Sequence, residues 1–178
     1  EAMLHDRPPK GRATRLDPAA WLAGGRSLLG MAARPKGHVP TRLVIADQKG
    51  DDLAPVAHRF YTLPDVYTAA HRLFHGTGVP LRLRFPDRVD AWHATCPLPV
   101  HVRGAANVTT VHDLIPLRLP WATLDNRPLF HRTVRRALDR SDLVLSVSEH
   151  TRQDLVEVFG VRPERIHVTY EPCVFPPA

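Results

Sequence analysis

The stretch LVLSVSEHTRQDLVEVFGVRPERIHVTY, residues 143–170, predicts a strand, a helix and a second strand. Its first five residues and residues 165–170 are runs rich in branched side chains, as is typical of strands. Between the two runs, Ser148 is a favoured helix cap, Glu149 lies in the first turn, and Gly160 is a favoured residue after the last turn. A helix of this length between two strands is the connection that parallel pairing needs. The stretch therefore predicts a parallel α/β fold.

The residues that precede it continue the alternation of strand and helix. Residues 107–111 predict a buried strand, and Asn126 with Pro128 predicts the start of a helix that runs to about Arg140. Apolar residues at helical spacing predict its buried face: Phe130, Val134, Ala137 and Leu138. The order strand–helix–strand–helix–strand is typical of a doubly wound α/β domain.

The first half of the chain carries weaker patterns. It predicts short strands over residues 3–5 and 43–46, a helix over 17–33, a helix over 64–75 that ends at Gly76, and a half-exposed strand over 81–85. Gly24 and Gly25 disfavour the first of these helices by about 1 kcal/mol each. With 178 residues in all, we expect one domain.

Composition narrows the classes of partner. Lysine and arginine number 24 against 18 acidic residues, for a formal charge of +6. This balance suits nucleotide phosphates, an acidic membrane surface or nucleic acid, although a merely solvated basic surface explains it equally well. Aromatic residues make up only 7% of the chain, which disfavours RNA recognition.

Targeting signals and cysteines point to one compartment. The sequence contains no run of about 18 apolar residues, so it predicts no transmembrane helix. The first residues, EAMLHDRPPKG, lack the apolar region of a signal peptide, and an opening Glu1 suggests a fragment or a processed product. Cys96 and Cys173 lie far apart without a CxxC neighbour, which disfavours a zinc site. We expect both to be partly buried thiols of a cytoplasmic protein.

Two histidines end apolar runs and are followed by loop residues. His93 lies in DAWHATCPLPV, residues 90–100, and His112 lies in NVTTVHDLIPL, residues 107–117. Ligands of open parallel sheets bind beyond the carboxyl ends of the strands, so we expect the two side chains to converge on one crevice. The alternative is that each ring packs locally or is satisfied by backbone groups.

Four segments in order carry a more specific signal. They are DAWHATCPLPV, VTTVHDLIPLRLP, LVLSVSEHTRQDL and FGVRPERIHVTY, within residues 90–170. The series closely resembles the N-terminal domain of the GT4 family of retaining, nucleotide-sugar-dependent glycosyltransferases. The resemblance implies half of a GT-B fold: a Rossmann-like, mainly parallel sheet flanked by helices. Residues 1–178 would form the acceptor-side domain, and the donor-binding C-terminal domain would lie outside this chain.

The resemblance also implies an activity and its residues. The complete enzyme would transfer a sugar from a nucleoside-diphosphate sugar to a hydroxyl of a glycan, a lipid-linked acceptor or a cell-surface polysaccharide, with retention. It would need no metal or other cofactor. His112 would be the catalytic residue, bonding a sugar hydroxyl or stabilising charge as the glycosidic bond loosens. Asp113 would orient that ring or begin the next loop, and His93 would contact the acceptor.

One expected loop departs from the family pattern. Family members usually carry glycines after the first strand, where the backbone approaches the donor phosphates. Here RPPKGRATRLDPAAW, residues 7–21, keeps Gly11 but has larger residues from Thr14 to Asp17. Side chains there would obstruct the backbone, and Asp17 would repel a phosphate. We expect Arg12 and Arg15 to compensate in part as phosphate contacts.

Basic residues of the helix after Asn126 suggest a further partner. Four arginines lie on its polar side, and they would either be solvated or meet anionic lipid at the inner face of the cytoplasmic membrane: Arg132, Arg135, Arg136 and Arg140.

Two other functions stay open. We expect the isolated chain to be inactive because it lacks a donor-binding half. The main alternative to a glycosyltransferase half is a degenerate GT-B half that serves as a non-catalytic binding module. A nucleic-acid-binding α/β domain is suggested by charge alone.

Overall fold

The structure, a computed structural model, describes residues 2–5, 18–38, 59–63 and 65–171. The chain divides into two compact units, Glu1–Val89 and Asp90–Ala178.

The first unit contains a small mixed sheet and two helices. Its described elements are β1 (Ala2–His5), α1 (Pro18–Leu28), β2 (Lys36–His38), β3 (Arg59–Thr62), α2 (Val66–Thr77) and β4 (Leu81–Leu83). Strand β3 lies in the middle of the sheet, parallel to β1 and antiparallel to β2. The ring of Tyr61 on β3 is buried edge-on against Phe85, with 4.8 Å between centroids. Near β4, Leu81, Leu83 and Phe85 are buried while Arg84 is exposed, as the alternation predicts.

Both helices of this unit end elsewhere than predicted. Gly76 lies inside α2, which continues to Thr77, because Gly78 adopts the left-handed conformation (φ 73°) and its N–H bonds the Phe74 carbonyl at 2.8 Å. Helix α1 stops at Leu28, before the predicted end, and Gly30 follows it with φ 75°. The predicted strand over 43–46 lies outside the described residues, as does Asp17, the first residue of the helix predicted over 17–33.

The second unit contains a four-stranded parallel sheet in the order β5-β7-β8-β9. Its elements are β5 (Ala91–Ala94), β6 (Val100–Val102), β7 (Ala106–Val111), α3 (Ile115–Arg118), α4 (Arg127–Arg140), β8 (Leu143–Ser146), α5 (Glu149–Phe159), a 3₁₀ turn (Pro163–Arg165) and β9 (Ile166–Val168). Helix α4 connects β7 to β8, and α5 connects β8 to β9. The predicted α/β fold with mainly parallel strands is confirmed.

Local signals set the ends of the two longer helices as predicted. The Asn126 side chain accepts a hydrogen bond from Leu129 N at 3.1 Å, and the Ser148 hydroxyl accepts one from Thr151 N, also at 3.1 Å. Gly160 ends α5 with φ 65°. The last strand starts one residue later than predicted, because Pro163 begins a 3₁₀ turn that includes Arg165, and it ends at Val168, before the predicted end.

Apolar side chains between this sheet and the helices form the core of the second unit. Its buried members come from β7, the residues around α3, α4, β8, α5 and β9: Val111, Leu114, Leu117, Val134, Leu138, Val144, Leu155, Phe159, Val161 and Ile166. Phe130 packs against them half-buried. Within the described ranges of both units, every helix is too short or too polar to cross a membrane.

Candidate functional site

The candidate site lies at the carboxyl edge of the parallel sheet in the second unit. Strands β7, β8 and β9 end at Val111, Ser146 and Val168, and their parallel pairing brings these ends to one edge. The chain leaves β7 directly into His112 and Asp113. Ligands bind at this edge in open parallel sheets because the loops there come from several strands.

His112 is held by two neighbouring loops. Its Nε2 donates to the carbonyl oxygen of Thr95, after β5, at 2.9 Å. Its Nδ1 lies 3.0 Å from Oε1 of Glu171, in the segment after β9. A carbonyl and a carboxylate only accept, so both contacts are hydrogen bonds at once only when each ring nitrogen carries a proton. The ring stays 48% exposed, and so it is both oriented and accessible.

The backbone of His112 is fixed from the helix side. Thr151, in the first turn of α5, is buried, and its hydroxyl donates to the His112 carbonyl at 2.8 Å. The N–H of Thr151 in turn bonds the capping hydroxyl of Ser148. The cap of α5 and the position of His112 are therefore coupled, which agrees with the structural role predicted for Ser148.

The sequence pattern suggested that His93 ends its strand. In the structure His93 lies inside the strand. Strand β5 continues to Ala94, because the pairing with β7 continues to the pair Ala94 and Thr109. His93 pairs with Val108, so it lies deeper along the sheet than His112. Its Nε2 shares a hydrogen bond of 2.8 Å with Thr110 Oγ1. The two histidines thus occupy adjacent strands at different levels.

Asp113 begins the next element. Its Oδ1 accepts a hydrogen bond from Ile115 N at 2.9 Å, across the start of α3. It also lines an open cleft of about 480 Å³ between α3 and the first turns of α5, together with His150 and Thr151. Of the two roles predicted for Asp113, the geometry supports the start of the loop.

An ion cluster closes the far side of this cleft. Arg118 on α3 donates to Asp154 at 2.7 Å and also to Glu157, both on α5. The hydrogen bond from Arg118, and then the one from Gln153, hold the pKa of Glu157 below its usual range. The charge of Arg118 is therefore matched by two carboxylates within the protein.

Of the remaining predicted site residues and the two cysteines, the structure describes only Cys96. Arg12 and Arg15 lie outside the described residues, as does Cys173. Cys96, two residues beyond β5, is an exposed free thiol rather than a partly buried one, and partial desolvation still raises its pKa. Among the described residues, no three histidine, cysteine or acidic side chains are grouped so that they could hold a metal ion.

Two groups of the site were missed at the sequence level. The Thr95 carbonyl is a backbone group, and no side-chain pattern predicts it. Glu171 had a signal: it follows the last strand, and the rule that singled out His112 applies equally to residues after β9.

Comparison with known proteins agrees with this fold. The chain has no match among curated proteins. The family model described as Glycosyltransferase Family 4 matches residues 29–172, which is more than half of the chain. The match includes β5 to β9, His112 and Glu171. This chain therefore belongs to glycosyltransferase family 4.

Proposed function

We propose that this chain is the acceptor-side half of a retaining glycosyltransferase that transfers a sugar from a nucleoside-diphosphate sugar to a hydroxyl acceptor. The observation that carries the proposal is His112, half-exposed at the carboxyl edge of the sheet and held through both ring nitrogens. The acceptor would be a glycan, a lipid-linked sugar or a cell-surface polysaccharide, and the protein would work in the cytoplasm without a metal or other cofactor.

The chemistry asks for a donor of hydrogen bonds near the reacting carbon. As the bond from the sugar to the diphosphate breaks, negative charge grows on the leaving phosphate. A ring with protons on both nitrogens supplies positive charge there, and one N–H exchanges its protein acceptor for a sugar hydroxyl. Glu171 then acts as a positioning residue that keeps the ring at the edge, while Thr151 keeps its backbone in place.

The remaining residues stay predictions within this scheme. His93 would act on the acceptor side, through the surface of β5. Asp113 would contribute to substrate binding by shaping the loop that begins α3. Arg12 and Arg15 would meet the donor phosphates, where a point charge replaces the close backbone approach that glycines allow.

The test is donor turnover by the protein that the native reading frame containing this chain encodes. The protein is incubated with a panel of UDP- and GDP-sugars, and release of the nucleoside diphosphate is followed. We expect His112→Ala to lower the rate by about 100-fold or more, as the loss of one transition-state donor does. The control is His150→Ala, whose ring is 86% exposed at the neighbouring cleft and takes no part in the scheme.

Glu171→Gln separates positioning from chemistry. We expect it to lower kcat by about tenfold with little change in KM, because ring orientation matters most in the transition state. Full activity of His112→Ala would refute the role of the histidine. If the protein that the complete reading frame encodes binds a sugar nucleotide but never turns it over, the alternative of a non-catalytic binding module replaces the proposal. The anomeric configuration of the product, read by NMR, tests retention.

A further inference from the structure

Helix α1 of the first unit carries its large apolar side chains on the outside. Four exposed side chains share one side of the helix, because residues seven apart lie nearly above one another: Trp21 66%, Leu22 70%, Leu28 52% and Leu29 78% exposed. Leu29 follows α1 but keeps its helical hydrogen bond, from its N–H to the Gly25 carbonyl at 3.2 Å. Surface helices normally carry polar residues on their outer side, so this apolar side marks an interaction surface.

The inner side of α1 carries small residues instead. Ala23 and Ser27 are buried, and the Ser27 hydroxyl accepts a hydrogen bond from the N–H of Arg82 on β4 at 2.9 Å. Helices usually turn their large apolar residues inwards, because burying each one contributes about 2 kcal/mol. In α1 that stabilisation is still available to a partner on the outer side.

A glycine lies at the centre of the exposed apolar side. Gly25 comes three and four residues after Leu22 and Trp21, and three and four residues before Leu28 and Leu29. A Cβ added at Gly25 would meet no heavy atom of the described residues within 4 Å. Packing within the chain therefore gives no reason for a residue that disfavours the helix by about 1 kcal/mol. Close approach of a second helix at this point does give one.

We call these five residues the α1 face, and we propose that it packs against the α1 face of a second copy of this chain. The two helices would run antiparallel, with a two-fold axis beside Gly25. Such an axis needs a pattern that reads the same in both directions, and the spacing around Gly25 has this property. Leu22 then lies beside Leu29 of the partner subunit, and Trp21 beside Leu28 of the partner subunit. The proposal does not depend on the transfer reaction.

The size and the charge of the α1 face also favour a second copy. Its four large side chains expose about 550 Å², so two such faces offer about 1,100 Å², above the roughly 1,000 Å² that a specific interface needs. None of its five residues is charged. The cation beside it, Arg26, donates from Nε to the Ala32 carbonyl at 3.1 Å, beyond the end of the helix. An anionic partner would therefore find no cation on the α1 face, whereas an identical apolar face matches it.

The first measurement is sedimentation velocity of the chain at concentrations from about 1 to about 100 μM, where we expect a reversible dimer. Leu22→Glu and Leu29→Lys should each raise the dissociation constant of the dimer by about tenfold or more, because each buries unpaired charges in the interface. An equal mixture of the two variants should associate again, since the new carboxylate then lies beside the new ammonium group. The control is Leu124→Glu, at a fully exposed leucine of the second unit, which should change the dissociation constant by less than about twofold.

Cysteine substitutions test the position of the two-fold axis. In a chain that carries Cys96→Ser and Cys173→Ser, Gly25→Cys should form a disulfide between two copies, because the axis brings the two Cα atoms within about 7 Å. The matched control is Gly24→Cys, the same substitution one residue earlier and about 100° round the helix, which should remain uncrosslinked. Non-reducing gel electrophoresis after mild oxidation distinguishes the two.

Three results would overturn dimerisation through the α1 face. The first is a wild-type chain that stays monomeric at about 100 μM. The second is a mixture of Leu22→Glu and Leu29→Lys that associates no better than either variant alone, with both shown to be folded by circular dichroism. The third is equal crosslinking of Gly24→Cys and Gly25→Cys. A dimer formed by this chain but not by the protein that its native reading frame encodes also refutes the proposal, since another segment then covers the α1 face.

Discussion

Asn107 shows how much one side chain can contribute to this fold. Its amide oxygen accepts from Val102 N, and its amide nitrogen donates to the carbonyls of Val102 and Ala105, each at 2.9 Å. Its backbone N–H bonds the Asp142 carboxylate at 2.7 Å, at the entry to β8. The residue is buried, so these groups have no water to replace the partners.

We therefore expect Asn107→Ala to lower the free energy of unfolding by about 3 kcal/mol, since it removes the partner of the buried backbone N–H and carbonyl of Val102 and of the part-buried carbonyl of Ala105. Urea unfolding measures the change. Asn126→Ala is a graded control: it removes one exposed helix cap and should cost about 1 kcal/mol. Equal losses in the two variants would contradict the role assigned to Asn107.

His112 and Glu171 show what the sequence predicts at a site and what it leaves out. The VHDL pattern after an apolar run predicts that His112 lies at the edge of the sheet. Its partners, the Thr95 carbonyl and the Glu171 carboxylate, come from loops after two other strands. Which loops meet depends on strand order and register, and neither is encoded near residue 112.

Among the helices, α5 was predicted closely and α2 was not, for a physical reason. Ser148 and Gly160 are strong local signals on both sides of α5. In α2, the glycine in the last turn, Gly76, competes with Gly78 as a stop, and only Gly78 takes the left-handed conformation. The helix ends where the N–H of Gly78, in this conformation, bonds the Phe74 carbonyl.

The two kinds of glycine predict opposite responses to one substitution. Gly160→Ala should destabilise by about 1 kcal/mol, because alanine is strained at φ 65°. Gly76→Ala should stabilise by up to about 1 kcal/mol, because it adds a good helix former inside α2. An added Cβ meets nothing within 4 Å at either position, so packing does not confuse the comparison. Thermal unfolding monitored by circular dichroism measures both, and a stabilised Gly160→Ala would be inconsistent with the left-handed end of α5.

The stability of the molecule should also depend on pH through His71. Burial, and secondarily the charge of His75, lower the pKa of His71 below 6.5. The folded state then binds fewer protons than the unfolded state, so stability is full above pH 6.5 and falls as the pH drops towards the folded pKa.

His71→Gln should flatten this part of the profile of unfolding free energy between pH 8 and pH 5. The comparison variant is His150→Gln, which removes a histidine that is 86% exposed instead of one that is half-buried. A wild-type stability that rises on acidification through this window, and falls in His71→Gln, would reverse the expected sign.

The sequence by itself determined the α/β class of the second unit, the ends of α4 and α5, and the candidate histidine at the end of β7. These features follow from caps, glycines and apolar periodicity, which act over a few residues and are therefore visible in a linear chain. Tertiary structure alone decided that His93 lies deeper along the sheet than His112 and that Glu171 contacts the His112 ring. It also decided that Arg118 and Arg135 are occupied within the protein while the apolar residues from Ile115 to Leu124 remain exposed. Such outcomes depend on register and packing between segments distant in sequence, where many pairings compete and the best collective burial selects one.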